Sequence, residues 1–232
     1  MSTLTNVDMK PYSAETEETD RICQPTDSRS IIPKATSSQT GVSVEYAPLP
    51  SHGWFVMRAS YGREQKASDY MVEHGTLTFL PKHLVNKQRN GKNVTVAEPL
   101  VPNILFVYAS REQADEYVKN TPQLSFLSYY YDHFRQEEGK NPPLVVPDSE
   151  MRNFVLATTT NSLHVRLVQP EHCHFKSGDI VKVVDGPFVG VKGLVARVAG
   201  QQRVVVTLKG LCSVATAYVP SAFLQKDTDE AG

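Results

Sequence analysis

The chain has 232 residues, of which 40% are hydrophobic, so it is long enough to bury a core in one or two domains of ordinary size. Its 24 Lys and Arg residues and 25 Asp and Glu residues leave a net charge of −1. A protein that binds nucleic acid mainly by neutralising phosphates carries a clear basic excess, so the overall composition argues against that class.

The cysteines and the apolar segments indicate the compartment. Cys23, Cys173 and Cys212 are widely spread and form no Cys-x-x-Cys pair, which fits a reducing environment and argues against a disulfide framework. No apolar stretch approaches the roughly 20 residues that cross a bilayer, and the N-terminus has no apolar signal core. We therefore expect a soluble cytoplasmic protein without membrane contact.

The composition of residues 1–53 predicts a disordered leader. The segment is rich in Ser, Thr, Glu, Asp, Gln and Pro, has no sustained helical or strand period, and holds four basic and seven acidic residues. Such a segment does not bury enough apolar surface to offset the entropy lost on ordering. A short docking peptide, at 31–32 or 42–46, is the alternative for this part of the chain.

Regular structure is predicted from residue 54. Gly62 leads into a helix whose apolar positions, among them Ala67 and Met71, recur at helical spacing, and Gly75 ends it. The predicted elements are a strand over 54–59, a helix over 63–74, a strand over 76–80, a polar and basic connector over 81–92 with a turn at Asn90-Gly91, and strands over 94–101 and 104–108.

Two more helices follow. Ser110 and Gln113 have the spacing of a capping box, in which Ser accepts from an early backbone N–H and Gln reaches back to the cap. A strand over 125–131 precedes a third helix that starts at 147, with an apolar stripe at Met151, Phe154, Val155 and Thr158. The order β-α-β-β-β-α-β-α over 54–158 predicts an α+β fold, an antiparallel sheet with packed helices.

Residues 175–225 have glycines spaced for a very small β-barrel. A β-branched strand over 180–184 ends at turn chemistry around Gly186, and Gly190 and Gly193 let the next strand bend sharply or another backbone come close. Two further strands are predicted over 203–209 and 213–219. We expect a linker over 159–174 before this module and a tail over 226–232 after it.

The glycine-spaced run FKSGDIVKVVDGPFVGVKGLV over 175–195 resembles the KOW module, most closely that of NusG-type transcription elongation factors. Upstream, Trp54-Phe55-Val56, Gly62-Arg63-Glu64, Phe79-Leu80-Pro81 and Pro99-Leu100-Val101-Pro102 resemble the N-terminal (NGN) domain of the same family. The two matches occur in the family's order. The resemblance implies an NGN-like domain over 54–158 followed by an SH3-like KOW β-barrel over 175–225.

The resemblance also implies a function. In this family the NGN domain grips the clamp helices of RNA polymerase through an apolar hollow, and the KOW domain hangs on a linker and recruits ribosomal protein S10 or the termination factor Rho. We expect a regulator that opposes pausing or termination. Where the family usually has Pro-Gly-Tyr, this chain has Pro102-Asn103-Ile104. With the acidic leader and the tyrosines at 129–131, this departure favours a specialised paralogue of the UpxY or RfaH kind, acting on surface-polysaccharide operons.

Candidate contact residues lie in both domains. The RNA polymerase candidates are Leu80, Pro81, Val101, Ile104 and Phe106, with core packing as the alternative. The candidates for contact with DNA or nascent RNA are Lys82, His83, Lys87, Arg89 and Lys92, with a solvated charged loop as the alternative. The KOW partner candidates are Phe188 and Lys192, with a lid over the barrel end as the alternative for Phe188 and an ordinary charged strand face for Lys192.

Catalysis and metal binding are not expected. His172-Cys173-His174 has no further ligand at matching spacing, and no phosphate-binding glycine loop or nucleophile–base motif is present. We expect no cofactor and no enzymatic activity. The β-branched runs of the KOW-like module predict that it stays in its β form. The alternative function is an RNA- or ribosome-binding KOW protein, against which the near-neutral charge counts.

Overall fold

The structure is a computed structural model that describes residues 34–35, 42–43, 46–89, 91–160, 164–169 and 173–227. Most of the predicted leader, part of the predicted linker, Asn90 and most of the predicted tail lie outside this range. The docking-peptide candidate at 31–32 also lies outside it, as do two residues of the candidate at 42–46. In the part that is described, no helix is long and apolar enough to cross a bilayer.

The elements alternate between strands and helices up to residue 160 and are almost all strands after it. The first group comprises β1 (Lys34–Ala35), β2 (Val42–Ser43), β3 (His52–Ala59), α1 (Glu64–Glu73), β4 (Leu77–Phe79), β5 (Lys82–Arg89), β6 (Lys92–Pro99), β7 (Ile104–Ser110), α2 (Arg111–Asp115) with a π-helical continuation (Glu116–Asn120), β8 (Leu127–Tyr129), β9 (Val145–Val146) and α3 (Asp148–Thr159). The second group comprises β10 (Arg166–Val168), β11 (His174–Val183), β12 (Lys192–Val198), β13 (Gln201–Leu208), β14 (Cys212–Tyr218) and β15 (Leu224–Lys226).

A five-stranded antiparallel sheet organises the first group. Its order is β4-β7-β3-β8, and β9 also pairs with β3. Because side chains alternate along a strand, Trp54 and Val56 of β3 face one side of the sheet, whereas Phe55 and Met57 face the other. The predicted central strand over 104–108 is confirmed, since β7 is buried along this whole stretch.

Helices α1 and α2 cover the face that carries Phe55 and Met57. The Ser110 side chain accepts a hydrogen bond from the backbone N–H of Gln113 at 3.2 Å, which confirms the predicted cap. The prediction that the Gln113 side chain reaches back to the cap is wrong. The Gln113 side chain instead donates to the Thr76 hydroxyl at 3.1 Å, and this bond ties α2 to the residue that precedes β4.

The connector predicted over 81–92 is wrong, because residues 82–89 form a strand. β5 pairs antiparallel with β6 from Lys82 opposite Pro99 to Arg89 opposite Lys92, which gives a separate two-stranded hairpin. An isolated hairpin is marginally stable. The base of this one is held by the backbone N–H of Leu100, which donates to the Pro81 carbonyl at 2.8 Å.

The second group forms an antiparallel sheet with the order β10-β14-β13-β12-β11-β15. β10 lies inside the range predicted as a linker. β10 and β15 are the edges of this order, so the described strands form an open six-stranded path, and the closed barrel stays a prediction. Gly193 has the close backbone approach that its position predicted: a Cβ there would lie 2.3 Å from the carbonyl oxygen of Val205.

Helix α3 is packed between the two sheets. Its predicted stripe of Met151, Phe154, Val155 and Thr158 is confirmed as buried, and the Phe154 ring lies 5.5 Å from that of Phe106 on the first sheet. The other side of α3 meets the second sheet, where Leu156 lies against Gly190. One continuous apolar cluster therefore runs from the first sheet through α3 to the KOW-like module.

Asn153 joins α3 to the KOW-like module by a pair of hydrogen bonds. Its side-chain amide donates to the Lys192 carbonyl at 2.7 Å, and its side-chain oxygen accepts from the Lys192 backbone N–H at 2.8 Å. A strand residue makes the same two bonds to its neighbour in a ladder. The side-chain amide of Asn153 thus makes the two hydrogen bonds to Lys192 that a neighbouring strand would make at the start of β12.

Tyr46 fastens the last part of the predicted leader to the start of α3. Its hydroxyl donates to the Asp148 carboxylate and accepts from the Trp54 indole N–H at 2.7 Å. The Arg152 guanidinium lies 4.2 Å from the centre of the Tyr46 ring and donates to the Asp148 carboxylate at 2.7 Å. Ordered packing therefore begins before residue 54, because this segment buries an aromatic ring against the first sheet and α3.

Replacing Asn153 by Ala tests the bond pair between α3 and the KOW-like module. We expect Asn153→Ala to lower the free energy of unfolding by about 1–2 kcal/mol, because the N–H and C=O of Lys192 lose their partners. Urea denaturation measures the stability, and hydrogen exchange at the Lys192 amide reports the contact directly. Asn120→Ala is the matched control, since the Asn120 side chain is exposed and bonds within its own helical turn. Equal effects of the two substitutions, with unchanged exchange at Lys192, contradict this role.

The Asp148 carboxylate makes the hydrogen bonds around Tyr46 sensitive to acid. Burial alone raises its pKa, but the hydrogen bonds from Tyr46 and Arg152 outweigh burial and hold the pKa below its usual value. The resulting stability is fully present above the pKa of the unfolded chain, about 3.9, and is lost as the pH falls through the lower folded value. We expect Asp148→Asn to cost about 0.5–1 kcal/mol at pH 7 and progressively less as the pH falls below about 4, measured by urea denaturation. A cost that does not change with pH contradicts the ionic origin.

Candidate functional site

The predicted RNA polymerase residues are adjacent at the base of the β5–β6 hairpin. Leu80 and Pro81 enter the hairpin, Val101 leaves it, and the bond between the Leu100 N–H and the Pro81 carbonyl holds the two segments together. Leu80 is half-buried, whereas Val101 and Ile104 are 8% and 5% exposed. The structure brings these residues together at one corner of the sheet but does not expose them as an open apolar patch.

Phe106 lies deeper than the other polymerase candidates. It is fully buried inside β7, and its ring contacts those of Phe79 and Phe154 at centroid distances of 6.2 and 5.5 Å. Its neighbours are core residues of the first sheet and α3. In this conformation Phe106 is therefore a core residue, as the core-packing alternative predicts.

The turn that distinguishes this chain from the family pattern contains a residue with a left-handed backbone. Asn103 has φ 63°, which Asn tolerates better than most residues. Its carbonyl accepts from the Ala59 N–H at 2.8 Å, and its side-chain oxygen accepts from the Gly62 N–H at 2.9 Å. Asn103 thus fixes the β6–β7 turn against the loop between β3 and α1.

The hairpin brings most of the predicted nucleic-acid residues to one of its faces. The antiparallel register and the two-residue alternation assign His83, Lys87 and Lys92 to one face, with Glu98 among them, and Lys82 to the opposite face. The backbone of Arg89 pairs with that of Lys92 at the end of the hairpin. Lys82, Lys87 and Lys92 are exposed, and His83 is half-buried. Lys87 forms an ion pair with Glu98, so one of these cations is already paired.

The predicted KOW partner residues are both engaged within the protein. Phe188 is 2% exposed and belongs to the apolar cluster that runs through α3. The Lys192 ammonium lies 2.8 Å from the Asp227 carboxylate, and the Lys192 backbone bonds to Asn153. In this conformation neither residue offers a free contact for a second protein.

Three structural features were missed by the sequence reasoning. Asn153 and Tyr46 had no recognisable motif, because their roles depend on partners 39 and 102 positions away in the chain. Arg203 is 9% exposed, and its guanidinium donates to the carbonyls of Thr216 and His164 at 2.8 and 3.2 Å. Burial lowers the pKa of Arg203. A lone Arg in a β-branched strand gave no signal of this burial.

An apolar groove lies beside the edge strand β10. It has a volume of about 870 Å³ and is bordered by Leu167, Phe134 and the turn between β13 and β14. Cys173 and Cys212 also line it. Burial raises the pKa of the Cys212 thiol to about 12, so this thiol stays protonated at neutral pH and is a poor nucleophile.

Comparisons with known proteins show what the first group of elements is similar to. Residues 52–155 match the model of the NusG family, described as transcription termination factor nusG. The transcription termination/antitermination protein NusG of Streptococcus pyogenes serotype M3 is 24% identical over 156 residues, which are 63% of this chain and 80% of that protein. The protein of the same name from Rickettsia felis is 24% identical over 157 residues, which are 62% of this chain and 74% of that protein. Residues 52–155 are therefore similar to the NusG family.

Replacing Phe188 by Ala separates a core role from a partner-contact role. We expect Phe188→Ala to destabilise the protein by about 3–5 kcal/mol, because it removes a buried ring from the cluster around α3. Phe134→Ala is the matched control: Phe134 is 84% exposed, and its removal is expected to cost less than about 0.5 kcal/mol. Thermal and urea unfolding of the two variants measure both effects. A Phe188→Ala variant as stable as the wild type contradicts the core role and favours a contact with a partner.

Proposed function

We propose that this chain is a transcription elongation regulator that binds RNA polymerase through its NusG-family domain and opposes pausing or termination. The observation that carries the proposal is the family match over residues 52–155, since the relatives are transcription termination/antitermination proteins. The mixed fold of antiparallel strands and helices supports it, because the three helices come at the expected places in the order of elements, with β5 and β9 as additional strands.

We propose that the polymerase contact is the corner formed by Leu80, Pro81, Val101 and Ile104, with Phe106 supporting it from below. Adjacency supports this choice, because two chain segments meet there at the base of the hairpin. Leu80, the half-buried member, is accessible as the structure stands. Fuller exposure of Val101 and Ile104 requires a local opening, which a bound clamp helix would stabilise by covering the apolar surface again.

The basic face of the hairpin is the proposed nucleic-acid contact. His83, Lys87 and Lys92 lie on one face of the separate two-stranded ribbon, together with the acidic residue Glu98, and the backbone of Arg89 pairs with that of Lys92 at its end. A ribbon with several cations suits the phosphates of DNA or nascent RNA near the polymerase. Lys82 lies on the opposite face, so it is the candidate with the least support for this contact.

We propose that residues 175–225 act as an SH3-like KOW module that recruits a second protein, ribosomal protein S10 or Rho being the family's partners. Phe188 and Lys192 are engaged with the protein's own core and with Asp227 in the observed conformation. Recruitment through these residues therefore requires the module to leave α3. The contact with α3 includes the pair of side-chain hydrogen bonds at Asn153, which a partner can replace.

More specifically, we propose that the chain acts on particular operons, of the surface-polysaccharide kind. It is supported by the Asn103-Ile104 turn, the acidic leader and the tyrosines at 129–131. The runner-up function is RNA or ribosome binding, which the charge of the module favours: residues 175–225 contain six Lys and Arg but two Asp and Glu. We expect no catalytic activity for either function.

Reconstitution with RNA polymerase tests the proposal. We expect the purified chain to co-elute with core RNA polymerase and to shorten pauses on a template from its own organism. Leu80→Glu is expected to weaken retention about tenfold, or roughly 1.4 kcal/mol, because it puts a charge into the apolar corner.

Leu167→Glu on β10 is the matched control, since the same substitution there lies in the other domain at a side chain that is 47% exposed. Circular dichroism checks that both variants are folded. The proposal fails if the wild type neither co-elutes with polymerase nor changes pausing. Steeply salt-dependent binding to RNA without polymerase would instead select the runner-up function.

A further inference from the structure

The edge strand β10 has one open side. It pairs antiparallel with β14 from Arg166 opposite Ala215 to Val168 opposite Ser213, and no strand within the described ranges pairs with its other side. Backbone N–H and C=O groups alternate between the two sides of an antiparallel strand, so some of those in β10 point away from β14. An edge of this kind can accept an extended peptide as an additional strand.

The apolar groove lies along this open edge. Its lining includes Arg166, Leu167 and Val168 of β10, with Phe134 and Leu211 from two loops. Leu167 is 47% exposed and Phe134 is 84% exposed, although both are large apolar side chains. Exposed apolar surface beside an unpaired strand edge favours a peptide that supplies apolar side chains and backbone hydrogen bonds together.

The wall of the groove that carries Phe134 is held in place. The Asp132 N–H donates to the Pro142 carbonyl at 2.8 Å, and the Asn141 side chain donates to the Asp132 carbonyl at 2.7 Å. The Phe134 N–H donates to the Asp132 carboxylate at 2.8 Å. A Cβ on Gly210 would lie 3.7 Å from the Phe134 ring, so this wall meets the turn between β13 and β14. The groove is therefore preformed between the two groups of elements, and a ligand does not have to order it first.

The described end of the leader lies on the same side of the molecule as the groove. Lys34 pairs with Ser43, and three residues later Tyr46 donates to the Asp148 carboxylate. Leu144, four residues before Asp148, lies against the turn between β13 and β14 that lines the groove. The fifteen residues that precede Lys34 span about 50 Å when extended, which is long enough to reach the groove from there.

The charge of the leader complements that of the groove. Arg166 lines the groove, and Lys209 lies in the adjoining turn. In the part of the chain that the structure describes, neither cation is within ion-pair distance of a carboxylate. Residues 15–32 contain five acidic and two basic residues, with four of the acids between 15 and 20. The same segment contains three large aliphatic residues, Ile22, Ile31 and Ile32.

We propose that residues 15–32 of the leader bind in this groove and add a strand to the open edge of β10. The isoleucines pack against Leu167 and Phe134, and the acids between 15 and 20 lie near Arg166 and Lys209. Because the walls of the groove come from both groups of elements, the bound segment ties the two groups together. This interaction goes beyond the proposed function and does not depend on it.

The tether favours the leader over a separate molecule. A tethered segment acts at an effective concentration of about 1 mM, so a dissociation constant of about 0.1 mM fills the groove about tenfold in excess of the empty state. A second copy of the chain would bind only at its concentration in solution. It would also bring two basic modules together, since residues 175–225 contain six Lys and Arg but two Asp and Glu.

A competition experiment with the full chain tests the proposal. The probe is a fluorescein-labelled synthetic peptide of residues 15–32, and fluorescence anisotropy measures its binding. The variant Ile22→Ser/Ile31→Ser/Ile32→Ser removes the aliphatic side chains of the tethered segment, so its groove is expected to be empty. We expect the peptide to bind this variant with a dissociation constant of about 0.1 mM, and the wild type about tenfold more weakly, because the tethered segment competes.

Matched controls separate the segment and the groove from general effects. Leu4→Ser/Val7→Ser/Met9→Ser removes three apolar side chains from another part of the leader and is expected to bind the peptide as weakly as the wild type. Leu167→Glu, added to the triple Ile→Ser variant, is expected to weaken binding at least tenfold, because it puts a charge into the groove. Tyr218→Glu in the same background is expected to leave binding within about twofold, since Tyr218 is 56% exposed on β14 and does not line the groove.

Hydrogen exchange tests the added strand. The β10 amides that point away from β14 are expected to exchange about tenfold more slowly in the wild type than in the triple Ile→Ser variant. Equal exchange rates in the two proteins contradict the strand pairing.

Three binding results overturn the inference: no binding of the peptide to the triple Ile→Ser variant, equal binding to that variant and to the wild type, or no effect of Leu167→Glu. Wild-type protection at β10 that rises with protein concentration, together with dimers in size-exclusion chromatography, would assign the groove to a second copy and also overturn it. Co-elution with RNA polymerase is measured separately, so failure of this inference is distinguishable from failure of the proposed function.

Discussion

The burial of helix α3 on two sides is the constraint on which the rest of the structure depends. A helix with apolar residues on opposite sides is not stable when one side faces water, so both sides must be covered. Phe154 packs on the first sheet, and Leu156 lies against Gly190, in the loop between β11 and β12 of the second group. The two halves of the chain thereby share one apolar cluster, although each has its own sheet.

This shared cluster links the proposed activities. The residues expected to grip a polymerase lie on one side of α3, and those expected to recruit a second protein lie on the other. Both sets are largely buried in the observed conformation, so binding at either surface has to compete with contacts that the protein makes with itself. The start of α3 is also held by Tyr46, which connects the end of the predicted leader to the same helix. By contrast, the Tyr61 side chain, in the turn between β3 and α1, is 91% exposed without any such rearrangement.

The sequence predicted those elements whose signal is local. The alternation in β3, the apolar run of β7, and the helical stripes of α1 and α3 were sufficient, because period 2 and period 3.6 are visible within a few residues. β5 was missed because both faces of the hairpin are partly solvated, so its residues are polar and show no apolar alternation. The donor role of Gln113 was also missed, since the competing acceptor, Thr76, is 37 positions away.

The sequence by itself pointed to the class of protein, because its segment order and its turn residues resemble those of a NusG-type domain, and residues 52–155 match the model of that family. It also predicted that Gly190 and Gly193 let a strand bend sharply or another backbone come close, and at Gly193 the structure has the close backbone. Only the tertiary structure decided which candidate residues are accessible. Phe188 and Val101 are buried and Tyr61 is not, because exposure depends on which surfaces meet across α3 and on which loops are bonded to each other, and neither is encoded in local sequence spacing.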